Sequence, residues 1–240
     1  MKVIMESFGG LGDTLQKSTI PRMLTEQGHQ VYLNTTWDGE GNPNGGHIHN
    51  PEIKRLVWEM NPHVRGFTEE PPTIVRKGTP TNLHGDFIKN WESFYGLPPT
   101  NSYPEMYYLP RRVDGIEAVL DLSWLSGCYT PETVRSMASQ IVAKQTSFRW
   151  KQILSIYQAN HVELEGVESI RCDTIFDLAD VLSSASMIVT LSSGSHMLAA
   201  AIHKGAIRQV CIMPDYLPAF PHYRVPKVQY DYPEGHRDQP

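Results

Sequence analysis

A chain of 240 residues, 40% hydrophobic and 20% charged, can bury a substantial core as one large domain or two compact ones; the composition excludes collagen-like, coiled-coil and wholly disordered chains. A net charge of −5 argues against a uniformly basic nucleic-acid coat. Cys128, Cys172 and Cys211 are too widely spaced for a disulfide framework or a four-cysteine zinc site. The apolar run at the N-terminus is too short for a signal peptide and no stretch reaches membrane-spanning length, so the expectation is a cytoplasmic protein.

In chain order, Lys2 to Phe8 reads as a short strand, Gly9-Gly10-Leu11-Gly12-Asp13 as a tight loop, and Thr14 to Gln27 as a helix closed by Gly28. Pro21 inside that helical pattern means a kink or two short pieces. Gln30 to Asn34 supplies a second strand, and the Gly- and Asn-rich run 37–50 a long loop. Pro51 to Met60 and His84 to Tyr95 have helical spacing. Pro98, Pro99, Pro104 and Pro110 crowd thirteen residues and place a domain boundary near 105. The alternation then restarts: strand Ala118–Leu122, helix Pro131–Lys144, strand Gln152–Tyr157, helix Phe176–Ser184, strand Met187–Leu191, helix His196–His203 and strand Arg208–Met213. Such alternation indicates parallel βαβ units in two Rossmann-like halves. Beyond Pro214 the pattern is not readable.

Two segments carry chemistry. Gly9, Gly10 and Gly12 after a strand let backbone N–H groups approach an anion or a sugar, but Leu15 holds the third glycine place of a dinucleotide fingerprint and no Gly-Lys-Ser/Thr follows. Asp13 beside the loop repels a phosphate and suits a general base, or caps a helix beginning at Thr14. In Leu191-Ser192-Ser193-Gly194-Ser195-His196, hydroxyls, a glycine and first-turn N–H groups converge where a buried strand meets a helix, which makes the better diphosphate site. The alternative is a set of plain N-capping serines. Ser123 and Ser126, at the end of the first strand of the second half, are weaker candidates for the same phosphates. Arg171 could add a cation, although a solvated arginine is the plainer reading.

The glycine loop, Asp13, Pro21 and Leu24, followed by Asp180 to Ala201, resemble the two signatures of the glycosyltransferases related to ADP-heptose:lipopolysaccharide heptosyltransferases, glycosyltransferase family 9. Together they cover about a quarter of the chain. The spacing differs in one place: Ser195 alone separates Gly194 from His196, and Leu191 or Ser192 stands where the family has an aspartate. The chain is also shorter than typical relatives. The resemblance implies a GT-B fold, α/β with two Rossmann-like domains across a cleft: an acceptor-side domain over 1–105 and a nucleotide-sugar-binding domain over 106–240.

It further implies a metal-independent inverting transfer of a sugar from a nucleotide-diphosphate donor to an acceptor hydroxyl, with Asp13 as base and Ser192 to His196 on the diphosphate. No cofactor is expected beyond the donor. The acceptor expected is a glycan, ahead of a modified nucleic-acid base, a protein or a small molecule. Trp37, Asp38, His47 and His84 are acceptor-side candidates, whereas Trp91 reads as packing. His47 and His49 could share a metal, but no third ligand is evident. The alternatives are a sugar-nucleotide epimerase or hydrolase of the same fold, and a non-catalytic nucleotide- or glycan-binding module.

Overall fold

The computed structural model describes residues 1–6, 9–35, 50–74, 87–124, 129–155, 160–214 and 224–233. The chain divides into two compact units, Met1–Leu109 and Pro110–Pro240. Both are built on parallel sheets. Among the described residues, no helix is long and apolar enough to cross a membrane.

The first unit holds a three-stranded sheet in the order β1 (Lys2–Met5), β2 (Gln30–Asn34), β3 (Val64–Thr68). Between β1 and β2 the helical pattern is two short pieces rather than a kinked helix, α1 (Leu11–Gln16) and α2 (Ile20–Glu26). Pro21 sits in the first turn of α2, where its missing N–H removes no helical bond. The helix also begins three residues earlier than expected: Gly10 is its N-cap, and Thr14 N–H already bonds to Gly10 O at 3.0 Å. Gly28, at φ +83°, ends α2. His29 N–H reaches Leu24 O at 3.0 Å and Gly28 N–H reaches Thr25 O at 2.9 Å, a Schellman closure.

The Pro51–Met60 pattern is a single α turn, α3 (Pro51–Lys54), running into a π-helical stretch over Arg55–Glu59. Asn50 starts it by accepting from Glu52 N–H at 2.8 Å. Helix α4 (Phe87–Phe94) buries Ile88, Trp91 and Glu92.

The second unit is a six-stranded parallel sheet in the order β11-β10-β9-β4-β6-β8. Its strands are β4 (Ala118–Asp121), β6 (Trp150–Ser155), β8 (Glu168–Cys172), β9 (Met187–Leu191), β10 (Arg208–Ile212) and β11 (Val228–Asp231). A two-residue antiparallel pair, β5 (Ser123–Trp124) with β7 (Asn160–His161), stands beside it. Helices α5 (Pro131–Lys144), α6 (Ile175–Ser184) and α7 (Gly194–His203) complete the unit.

Both β4 and β9 are buried along their whole length, as strands covered on two faces must be. On one face Ala118, Leu120, Met187, Val189, Leu191, Val210 and Ile212 pack on Val134 and Ala138 of α5. Strand alternation turns Val119, Asp121, Ile188 and Thr190 to the other face. There α7 lies over the sheet, and α6 packs against α7. Asp180 of α6 fixes the start of the unit by accepting from Arg111 N–H at 2.8 Å and Arg111 Nε at 3.1 Å.

Candidate functional site

In the second unit the chain leaves β4 toward β6 and β8 on one side and returns to β9, β10 and β11 on the other. The winding therefore reverses between β4 and β9. In open parallel sheets the crevice beyond the carboxyl ends of two such strands is where ligands bind. Asp121 and Ser123 stand at the end of β4, and Ser192 to Ser195 at the end of β9.

These groups form one cluster. Asp121 is wholly buried and accepts from the hydroxyls of Ser123 and Ser195, one on each carboxylate oxygen. Burial pushes its carboxyl above the usual range, and the two hydroxyl donors pull the other way. The β9–α7 turn is clamped by Tyr129, whose Oη accepts from Ser192 N–H at 2.8 Å and donates to Ile212 O at 3.0 Å. Ser193 is the N-cap of α7, but its side chain makes no bond to the first turn. Its Oγ is buried and has no hydrogen-bond partner among the described residues. A helix start with an N-cap hydroxyl not spent on capping offers backbone N–H groups and a positive dipole end to an anion.

Two of the residues expected on the diphosphate turn inward instead. The Ser195 hydroxyl is committed to Asp121. The His196 ring is fully buried, with Nδ1 accepting from Gln209 Nε2 at 2.8 Å and Nε2 3.4 Å from Tyr230 Oη. That geometry selects the neutral Nε2–H tautomer, in which Nε2 donates to the phenol. What Ser195 and His196 can offer an anion is their main chain. Ser192, Ser193 and Gly194 remain partly exposed at the strand end.

In the first unit the glycine turn follows β1. Gly9 takes φ +102°, and Gly10, extended, caps α1. Asp13 is therefore the third residue of the helix rather than its cap. Its Oδ2 accepts from Gly10 N–H at 3.2 Å, the carboxylate half of a capping box; Gly10 has no side chain to complete the other half. Gly12 is buried in the first turn, while Asp13 is half-buried. Thr14 Oγ1 donates to Gly10 O at 2.8 Å, so the turn is tied from both directions.

No protein-family sequence model matches the chain, and no curated protein does either. Solved structures do. The iron-containing dodecameric glycosyltransferase TibC of enterotoxigenic E. coli H10407 is 18% identical over 96% of this chain and 62% of its own, with a TM-score of 0.66. The structure of the heptosyltransferase TibC in complex with ADP-D-β-D-heptose gives 17% identity, the same coverage and a TM-score of 0.65. A glycosyl transferase family 9 protein of Veillonella parvula DSM 2008 is 7% identical over 96% of this chain and 85% of its own, at 0.63. The chain has their fold. It spans about 62% of the length of TibC.

Among the described residues, no group of three or more His, Cys, Asp or Glu side chains could hold a metal ion. Ser126, Trp37, Asp38, His47, His49 and His84 lie outside the described residues. Ser123 joins the second-unit cluster through Asp121 rather than facing solvent, at 1% exposure. Arg171 is exposed and paired with Asp173 at 2.5 Å. Trp91 is core, with Lys17 Nζ 5.1 Å from its ring centre. Asp121 escaped the sequence reading, yet it carried a signal: a carboxylate closing an otherwise apolar strand is a buried charge in need of donors.

Proposed function

We propose that the chain is a glycosyltransferase that moves a sugar from a nucleotide-diphosphate donor to an acceptor hydroxyl with inversion. The observation that carries this reading is the start of α7, with its buried, unpartnered Ser193 Oγ at the reversal between β4 and β9. It stands in a chain with the fold of TibC, itself solved with ADP-D-β-D-heptose.

In this reading the departing diphosphate is stabilised by the N–H groups of Gly194, Ser195 and His196 and by the Ser192 and Ser193 hydroxyls, so charge builds up against a preorganised positive helix end rather than against a metal. Asp13, oriented by Gly10 N–H, takes the acceptor proton as the oxygen attacks the anomeric carbon from the face opposite the leaving group. The unit over Met1–Leu109 then holds the acceptor, a glycan first among the candidates, and Pro110–Pro240 the donor. The inward commitment of Ser195 and His196 favours a second reading, a nucleotide-binding module without turnover.

Thermal shift against ADP, UDP and GDP tests the donor site, because a ligand of the folded state raises stability in proportion to the logarithm of its excess over Kd. Stabilisation by one of them, followed by sugar transfer to a glycan acceptor that persists in a chelator, is the expected result. Binding without transfer to any acceptor selects the module, and no stabilisation by any diphosphate removes both readings.

A further inference from the structure

The wholly buried carboxyl of Asp121 lies directly beneath the proposed anion site. It is joined to that site by one hydrogen bond, from Ser195, the second residue of α7. Its partners are the Ser195 hydroxyl and the hydroxyl and backbone N–H of Ser123, none of them charged.

Among the described residues, the cation that the neighbouring strand β6 turns to this face, Lys151, is paired with Glu168 at 2.9 Å, and none bonds to Asp121. From β9, Thr190 stands opposite in register. The Cys172 thiol, at the end of β8, is pushed up to about 12, by burial first and then by neighbouring carboxylates with Asp121 foremost. The Cys211 thiol of β10 is likewise raised, mainly by burial. On α6, Asp177 is turned to Thr174 N–H and Asp180 to Arg111. On α7, the His196 ring is held by Gln209 and Tyr230. An ionised Asp121 would thus place an uncompensated negative charge under the helix end that the donor reading assigns to a diphosphate.

We propose that Asp121 is a positioning residue whose proton belongs to the anion site: a diphosphate seats on the first turn of α7 with the Asp121 carboxyl neutral and is repelled when that carboxyl ionises. The proposal rests on the donor-site reading given above. The sign follows from linkage. A bound anion adds a like charge near the carboxyl and raises its affinity for a proton, so by reciprocity anion affinity falls as pH rises through the titration of the unliganded protein. A neutral Asp121 can accept from one serine hydroxyl while its own O–H donates to the oxygen of the other, so Ser123 and Ser195 both keep a partner with one bond reversed.

The probe is ADP, with Kd measured from pH 5 to 9 for the wild type and for Asp121→Asn. The terminal phosphate of ADP titrates in this range but cancels in the ratio of the two constants. The ratio of wild-type to variant Kd is expected to climb with pH, with a slope of up to about tenfold per unit where one proton is linked. A structural role alone would shift both curves in parallel, and a constant ratio overturns the proposal.

Isothermal titration of wild-type protein in buffers of different ionisation enthalpy gives an answer that does not depend on the variant folding. Net proton uptake on ADP binding is expected, opposite in sign to the release from a phosphate that binds in its more ionised form; zero uptake or net release at every pH overturns the proposal. If both proteins bind ADP with the same pH course, this inference fails and the donor site stands. If neither ADP, UDP nor GDP binds at any pH, both fall.

Discussion

Gly9 and Asp13 are packed so closely that a β carbon on Gly9 would stand 2.5 Å from Asp13 Cβ and 3.0 Å from its Oδ2. The glycine is also required by its φ of +102°, a conformation that side chains resist. One residue thus shapes the turn and leaves room for the carboxylate. Gly9→Ala combines backbone strain of about 1–3 kcal/mol with a clash that must push Asp13 aside. The expected outcome is a lower Tm by circular dichroism and loss of most transferase turnover, with ADP binding by the second unit retained.

Asp13→Asn separates the base from the cap. The amide oxygen can still accept from Gly10 N–H, so the helix start should survive and Tm should change little. Removing a general base costs about 10²–10⁴-fold in rate. Turnover falling by that factor with an unchanged Kd for ADP is the expected result on a proven acceptor. An Asn variant at the wild-type rate would leave Asp13 a structural residue, with Asp38, His47 and His84 as the next candidates for the base.

Glu92 is the buried polar hub of the first unit. Its carboxylate, at 0% exposure, accepts from Thr19 Oγ1 at 2.9 Å, Thr100 N–H at 2.8 Å, Asn101 N–H at 3.2 Å and Asn101 Nδ2 at 2.7 Å. It ties the start of α2 and the proline-rich segment after residue 98 to α4. Glu92→Ala removes the acceptor of one buried donor, Thr19 Oγ1, and of three part-buried ones; a buried donor left unmade costs about 1–3 kcal/mol, so the expected loss is at least about 1 kcal/mol. Urea unfolding followed by circular dichroism should show the midpoint moved to lower denaturant, whereas Glu92→Gln, which keeps an acceptor, should fall between the Ala variant and the wild type.

The inner strands were legible because burial on both faces writes itself as apolar runs: Gln30–Asn34 and Met187–Leu191 appear with the expected bounds, and Ala118–Asp121 ends one residue early. Edge strands other than β1, which was read within Lys2 to Phe8, were not. Val-Arg-Gly-Phe-Thr of β3, Glu-Ser-Ile-Arg-Cys of β8 and Val-Gln-Tyr-Asp of β11 have one open edge and mixed burial, so polar residues interrupt the pattern without disrupting the strand. The turn after β9 was recognisable as a helix start from its serines and glycine. Which serine points where was not, because that depends on Asp121 across the sheet and on Gln209 one strand further on, contacts that local spacing does not encode.

His203, in the last turn of α7, makes the stability of the second unit depend on pH in a definite direction. Its Nε2 lies 2.9 Å from Leu182 O, a donor's position, which the neutral Nε2–H tautomer already fills. Burial pushes the ring below its ordinary value of 6.5, and the bond to Leu182 only partly offsets this. The unfolded chain therefore binds more protons than the folded one in the window between the depressed value and about 6.5. Stability from this group is complete above that window and is lost as pH falls through it. Asp121, whose carboxyl is raised, acts with the opposite sign, favouring the folded state at low pH and losing that contribution as pH rises. Comparing wild type with His203→Gln isolates the histidine: glutamine keeps a donor for Leu182 O and cannot take up the proton. Urea midpoints for the second unit should fall more between pH 7.5 and pH 5 in the wild type than in the variant. Parallel declines would mean that His203 titrates alike in the folded and unfolded chains.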